Sequence, residues 1–92
     1  MKGHIKEEYK KRAQHRLKII QGQVSGLEKM VEDETYCIDV LNQSLAIQES
    51  LKSFDGLMLE NHFKTHGVSR LTGKNKEKGI NEMLKLYKLR NK

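Results

Sequence analysis

Leu17, Ile20, Val24, Leu27 and Val31 recur at intervals of three and four residues, and the series extends back through Ala13 to Tyr9. Side chains so spaced share one face of an α-helix, which predicts a first helix from about Glu7 to Val31. Gly22 and Gly26 lie inside it, where each costs about 1 kcal/mol relative to alanine, so they are expected to admit a second helix at close range. Glu32, Asp33, Glu34 and Thr35 break the stripe. An acidic residue or Thr35 is expected to cap a second helix beginning near Tyr36, whose N-terminus favours negative charge. Val40, Ile47, Leu51, Phe54 and Met58, broadened by Leu41, Leu45 and Leu57, carry this helix to a C-terminal cap at Gly67, with Gly56 a candidate bend. Ser69 to Gly79 is polar and rich in lysine and glycine, as in a loop, and Ile80, Met83, Leu84, Leu86 and Tyr87 mark a short third helix. Sustained strand-like alternation is absent and there is no proline, so the fold class is all-α.

Composition changes this picture in one respect. Ninety-two residues make a single domain, 1–92, and with 36% apolar residues, 5% aromatics and no tryptophan the chain has little material for a private core. A core shared between copies is expected. No run approaches the ~18 apolar residues of a membrane helix and the start is charged, so neither a membrane span nor a secretion signal is expected, and the reading is cytoplasmic. Charge is segregated: residues 1–18 carry +5, residues 19–66 carry −5 and residues 67–92 carry +6. Helices that bring the two ends together would form one positive surface for phosphates.

The candidate chemistry lies on the second helix. His62 and His66 are four apart, which places both imidazoles on one face, one turn apart, where they can hold one metal ion. Cys37 is the only cysteine and supplies a soft ligand, but it precedes His62 by 25 residues. In a continuous helix that is about 38 Å, so one chain cannot close the site. Two antiparallel copies can: with a two-fold axis near residues 50 and 51, Cys37 of one copy lies beside residue 64 of the other, and the apolar stripe is buried by the same pairing.

The segments HRLKIIQGQVSGLEKMVED (15–33), YCIDVLNQ (36–43) and LENHFKTH (59–66) resemble the CsoR/RcnR family of bacterial metal-sensing transcriptional repressors, over about Tyr9 to Tyr87. The resemblance implies a three-helix protomer, an antiparallel four-helix-bundle dimer and a dimer of dimers, hence a homotetramer, that binds operator DNA when metal-free and releases it on binding metal. It implies Cys37, His62 and His66 as metal ligands. Copper(I) sensors most often carry Cys, His, Cys, so His66 is a departure that also resembles nickel and cobalt sensors. Formaldehyde-responsive relatives have Glu in its place, and persulfide-responsive ones a second Cys in place of His62; this chain is like neither. Tyr36 and Glu82 match the positions of a Tyr and a Glu that orient the bound imidazole in copper sensors. A thiolate with two imidazoles suits Cu(I), the favoured ion, with Ni(II) or Co(II) the alternative, for which His4 is a possible extra ligand. The family's DNA surface maps onto Arg16, with Lys10, Lys11, Arg12, Lys18 and Lys52 nearby; His15 also suits a phosphate-facing role. A metal carrier that binds no DNA is the rival from another class. No enzyme is expected, because Glu60 and Glu82 are the only acids near the histidines and no acid/base arrangement accompanies them.

Overall fold

The computed structural model describes residues 3–67 and 76–90, without the side chains of His66 and Arg90. Three α-helices make up the described chain: α1 (Glu7–Glu32), α2 (Cys37–His62) and α3 (Lys76–Arg90), with a π-helical turn, Phe63–Gly67, continuing from the end of α2. The all-α, three-helix reading holds, and no strand occurs among the described residues.

α1 and α2 form a hairpin, and the way α1 closes explains why the expected cap on α2 is absent. Thr35 N–H donates to Met30 C=O at 2.9 Å and Glu34 N–H to Val31 C=O at 3.1 Å, the paired closure of a Schellman motif. Glu34 occupies its left-handed position with φ 53°, where glycine is the usual residue. The acidic residues and Thr35 thus terminate α1 instead of starting α2, whose N-cap is Tyr36, with no side-chain capping bond. Asp39 in the first turn provides the favourable negative charge. Two other expectations are corrected. Gly67 does not cap an α-helix, since α2 passes into the π turn at Phe63. Helix α3 begins at Lys76, inside the stretch read as a loop, because Lys76, Glu77 and Lys78 are good helix formers and Gly79 alone costs only about 1 kcal/mol; residues 69–75 of that stretch lie outside the described part.

The buried apolar residues are few. Tyr9, Ala13 and Ile20 of α1 pack with Ile47 and Leu57 of α2, and these five are the core of the described chain. Gln43 bridges the hairpin, donating through Nε2 to Gln23 C=O at 3.2 Å. A Cβ on Gly26 would meet Gln43 Nε2 at 3.9 Å, an ordinary contact, whereas one on Gly22 would meet nothing within 4 Å, so the close approach expected at both glycines occurs only at Gly26 within one chain. Much of each stripe stays uncovered: Leu17, Val24 and Val31 on α1, Leu41, Leu45 and Leu51 on α2, and Ile80, Leu84, Leu86 and Leu89 on α3 are exposed. With extents of 55 × 30 × 18 Å, the protomer is too thin to enclose these residues itself.

Candidate metal centre

Cys37 and His62 are the first and last residues of α2. Their separation of 25 residues spans about 38 Å along the axis, yet at ~100° per residue their Cα directions differ by only about 20°. They belong to one face of the helix. That face also carries Leu41 and Leu51, which are exposed, and it is turned about 70° to 150° away from Ile47, Asn61 and Leu57, which are buried. The metal-ligating types are thus arranged on the part of α2 that the protomer leaves open.

At the C-terminal end of α2, His62 lines a cavity of ≈ 570 Å³ between α2 and α3, together with Asp55, Met58, Leu59, Glu82, Met83, Leu86 and Leu89. The structure therefore brings His62 and Glu82 to the same cavity, although 20 residues separate them in sequence. Tyr36 stands beside Cys37 at the far end of the helix and is 71% exposed, so it can approach a His62 imidazole only from another copy. Cys37 is an exposed free thiol. Among the described residues, no three His, Cys, Asp or Glu side chains converge within one chain. The donor set itself, one thiol with imidazole, fits a soft or borderline metal ion, and the open α2 face is where a second copy would complete it.

A polar residue that the sequence reading passed over lies next to His62. Asn61 is 3% exposed. Its Oδ1 accepts from Lys6 N–H at 3.0 Å and its Nδ2 donates to His4 C=O at 3.0 Å. The signal was its position four residues after Leu57, which puts a polar group on the buried face. His4 is thereby held by its backbone near the end of α2 that bears His62. Thr65 Oγ1 donates to Asn61 C=O at 2.8 Å, tying the π turn to the last α turn. π-helical turns are rare and concentrate at functional sites; this one contains His66, whose side chain lies outside the described part.

Two cations flank the buried Tyr9 ring: Lys64 Nζ lies 5.4 Å from its centroid and Arg12 Cζ 5.8 Å. Its polar interaction with the Tyr9 hydroxyl is the main influence raising the Lys64 pKa above its ordinary 10.5, with burial opposing and Glu60 and Glu8 adding to the shift. Lys64 thus stays cationic at neutral pH.

The basic residues of α1 surround its solvent side. Lys11, His15 and Lys18, at i, i+4 and i+7, lie opposite the face of Tyr9, Ala13 and Ile20 and are exposed, as are Lys10 and Arg12, while Arg16 is half-buried at the edge of the Tyr9, Ala13 and Ile20 face, apart from Lys11 and Lys18. Lys52, on α2, is exposed and paired with Glu49 at 3.4 Å.

Comparison with known proteins places the fold and the family. Residues 9–88 match the family model for metal-sensitive transcriptional repressors. The copper-sensing transcriptional repressor CsoR of Bacillus subtilis is 34% identical over 85 residues, 92% of this chain and 84% of that protein. The Mycobacterium tuberculosis H37Rv protein of the same name is 41% identical over 56 residues, 61% of this chain and 47% of its own length. The crystal structure of the copper-sensing repressor CsoR with Cu(I) from Geobacillus thermodenitrificans NG80-2 superposes with a TM-score of 0.82 at 37% identity, covering 100% of this chain and 95% of that one. The all-α hairpin with its third helix and the match over residues 9–88 together establish that this chain belongs to the family of metal-sensitive transcriptional repressors.

Proposed function

We propose that this protein is a cytoplasmic, Cu(I)-responsive repressor that binds operator DNA when metal-free and releases it when Cu(I) binds between two subunits. The observation that carries the reading is the placement of Cys37 and His62 on one open face at opposite ends of α2. Antiparallel pairing of two such helices sets the partner's Cys37 beside His62 and His66, closing two equivalent sites per dimer. The same pairing covers Leu41, Leu45 and Leu51, which are about half-exposed in the protomer, so that each gains about half of the ~1.5 to 3 kcal/mol of a full side-chain burial. A four-helix-bundle dimer, and a dimer of dimers built on it, thus supplies the core that the protomer lacks, and the single domain 1–92 carries both metal and DNA surfaces.

In this arrangement Cys37, His62 and His66 bind the ion, while Glu82 and the partner's Tyr36 orient the His62 imidazole. When bound, Cu(I) supplies soft, low-coordinate ligation that draws a thiolate and imidazoles to one point. Glu82 lines the same α2–α3 cavity as His62, so fixing the imidazole repositions α3 against α2, and the hairpin carries the shift to α1. There Arg16, with Lys10, Lys11, Arg12 and Lys18, contacts DNA phosphates, Lys52 adding to the surface from α2. No step calls for an acid, base or nucleophile, so the protein is read as a regulator and not an enzyme. Support for copper comes from the relatives, which are named as copper sensors, one of them solved with Cu(I).

A second reading, Ni(II) or Co(II) with His4 as an added ligand, is favoured by one observation: Asn61 holds the His4 carbonyl beside the residue preceding His62. Titration of operator affinity with anaerobically buffered Cu(I), Ni(II), Co(II) and Zn(II) separates the two. Release by Cu(I) at the lowest free concentration is expected; release by Ni(II) or Co(II) and not by Cu(I), with loss of the response in His4→Ala, would replace copper with the second reading.

A further inference from the structure

Residues 3–6 approach the end of α2, and the contacts that hold them there concentrate on one side chain. Asn61 brackets Ile5, accepting from the N–H of Lys6 and donating to the C=O of His4, both at 3.0 Å. An amide so engaged fixes the register of the segment it grips, because its donor and acceptor ends are not interchangeable. Lys6 is also the N-cap of α1, and its carbonyl accepts the Lys10 N–H at 2.9 Å. The grip therefore acts on the first turn of α1 itself. A second contact acts on the same turn from the same side, since Lys64 lies over the Tyr9 ring at 5.4 Å. Asn61 and Lys64 flank His62 in the chain, and Thr65 Oγ1 bonds the Asn61 carbonyl at 2.8 Å. Any change in the winding of residues 62–66 thus displaces both groups that hold the start of α1, immediately ahead of Lys10, Lys11, Arg12 and Arg16.

We infer that Asn61 is a positioning residue that latches the N-terminal arm to the histidine-bearing turn, so that metal binding at that turn is transmitted to the DNA-contacting start of α1. This rests on the metal and DNA roles proposed above. It adds a route to α1 that bypasses α3: ligation by His62 and His66 re-winds the turn, Asn61 follows, and the arm with the N-cap of α1 moves as one piece.

Lys6→Pro tests the latch directly. Lys6 has φ −60° and ψ 144°, a conformation proline adopts without strain, so the substitution deletes the N–H that Asn61 accepts while keeping the backbone path. Lys6→Ala removes the same charge and keeps the N–H. Each protein is titrated with Cu(I) against a chelator of known affinity, the amide hydrogen exchange of residues 7–12 is followed with and without Cu(I), and operator affinity is measured in both states. Wild type and Lys6→Ala should show a Cu(I)-dependent change in exchange and equal loss of operator affinity. Lys6→Pro should bind Cu(I) as tightly as wild type, lose the exchange response, and show a metal-induced loss of operator affinity reduced by about fivefold or more, a typical size for such couplings. Asn61→Ala, with its fold checked by circular dichroism, should behave as Lys6→Pro. A Lys6→Pro protein that matches Lys6→Ala in exchange and operator response overturns the latch. So does a wild type that binds Cu(I) and releases DNA with no exchange change at residues 7–12, an outcome that leaves the proposed function standing. A wild type that binds no Cu(I) overturns the proposed copper reading and the latch with it.

Discussion

Complementation between two defective subunits tests the shared site. In a Cys37→Ala subunit the two histidines remain, and in a His62→Ala/His66→Ala subunit the cysteine remains. Metal–ligand bonds of about 2.0 to 2.3 Å require the donors to lie within a few ångströms of each other. Cys37 and His62 of one chain are about 38 Å apart along α2, so neither homodimer can assemble the full set. A heterodimer has one site with every ligand and one with none. Random mixing makes half of the dimers heterodimeric, so an equimolar mixture should recover about a quarter of the wild-type Cu(I) capacity, and an isolated heterodimer about half, by the symmetry of the pair. The assay is anaerobic Cu(I) titration against a chelator strong enough to suppress binding by either mutant homodimer, with the heterodimer purified through two different affinity tags. Absence of tight Cu(I) binding in the verified heterodimer would refute the antiparallel arrangement. Wild-type affinity in the Cys37→Ala homodimer would refute Cys37 as a ligand.

Three further outcomes are expected. Glu82→Ala and Tyr36→Phe should keep Cu(I) affinity while weakening Cu(I)-driven operator release, because Glu82 shares the cavity of His62 without completing the ligand set; loss of Cu(I) binding in both variants would make these residues ligands. Arg16→Ala should weaken operator binding and lower the salt slope by about one unit, with unchanged metal affinity, and an unaltered salt dependence would remove Arg16 from the phosphate contacts. Glu34→Gly should stabilise the fold by up to about 1 kcal/mol in chemical denaturation, since a left-handed residue with a Cβ costs roughly 1 to 2 kcal/mol and the greater freedom of glycine in the unfolded chain offsets part of the gain. A destabilised Glu34→Gly would show that the Glu34 side chain contributes more than its backbone strain costs.

The sequence by itself determined the helices and the types of the candidate ligands. Three-and-four spacing reports which residues share a face, which is why α1 was legible to within a residue from Leu17, Ile20, Val24 and Leu27, and why His62 and His66 could be paired before any fold was known. The length of α2 likewise settled from the sequence that Cys37 lies beyond reach of its own histidines. Helix ends were less legible, because they depend on which of several polar residues wins the backbone hydrogen bonds: Thr35 looked like a cap for α2 but is held in the closure of α1. Only the tertiary structure decided the rest. Periodicity places Ile47 and Leu41 on one broad stripe, yet α1 covers Ile47 and leaves Leu41 open, a distinction set by the rotation of α2 within the hairpin. Glu82 and His62 come to line one cavity because α3 returns to the C-terminal end of α2. The spacing from Leu57 could mark Asn61 as a polar residue on the buried face, but not what it binds, because its partners are the backbone atoms of His4 and Lys6, more than fifty residues away, and no side-chain pattern records a hydrogen bond made to a backbone.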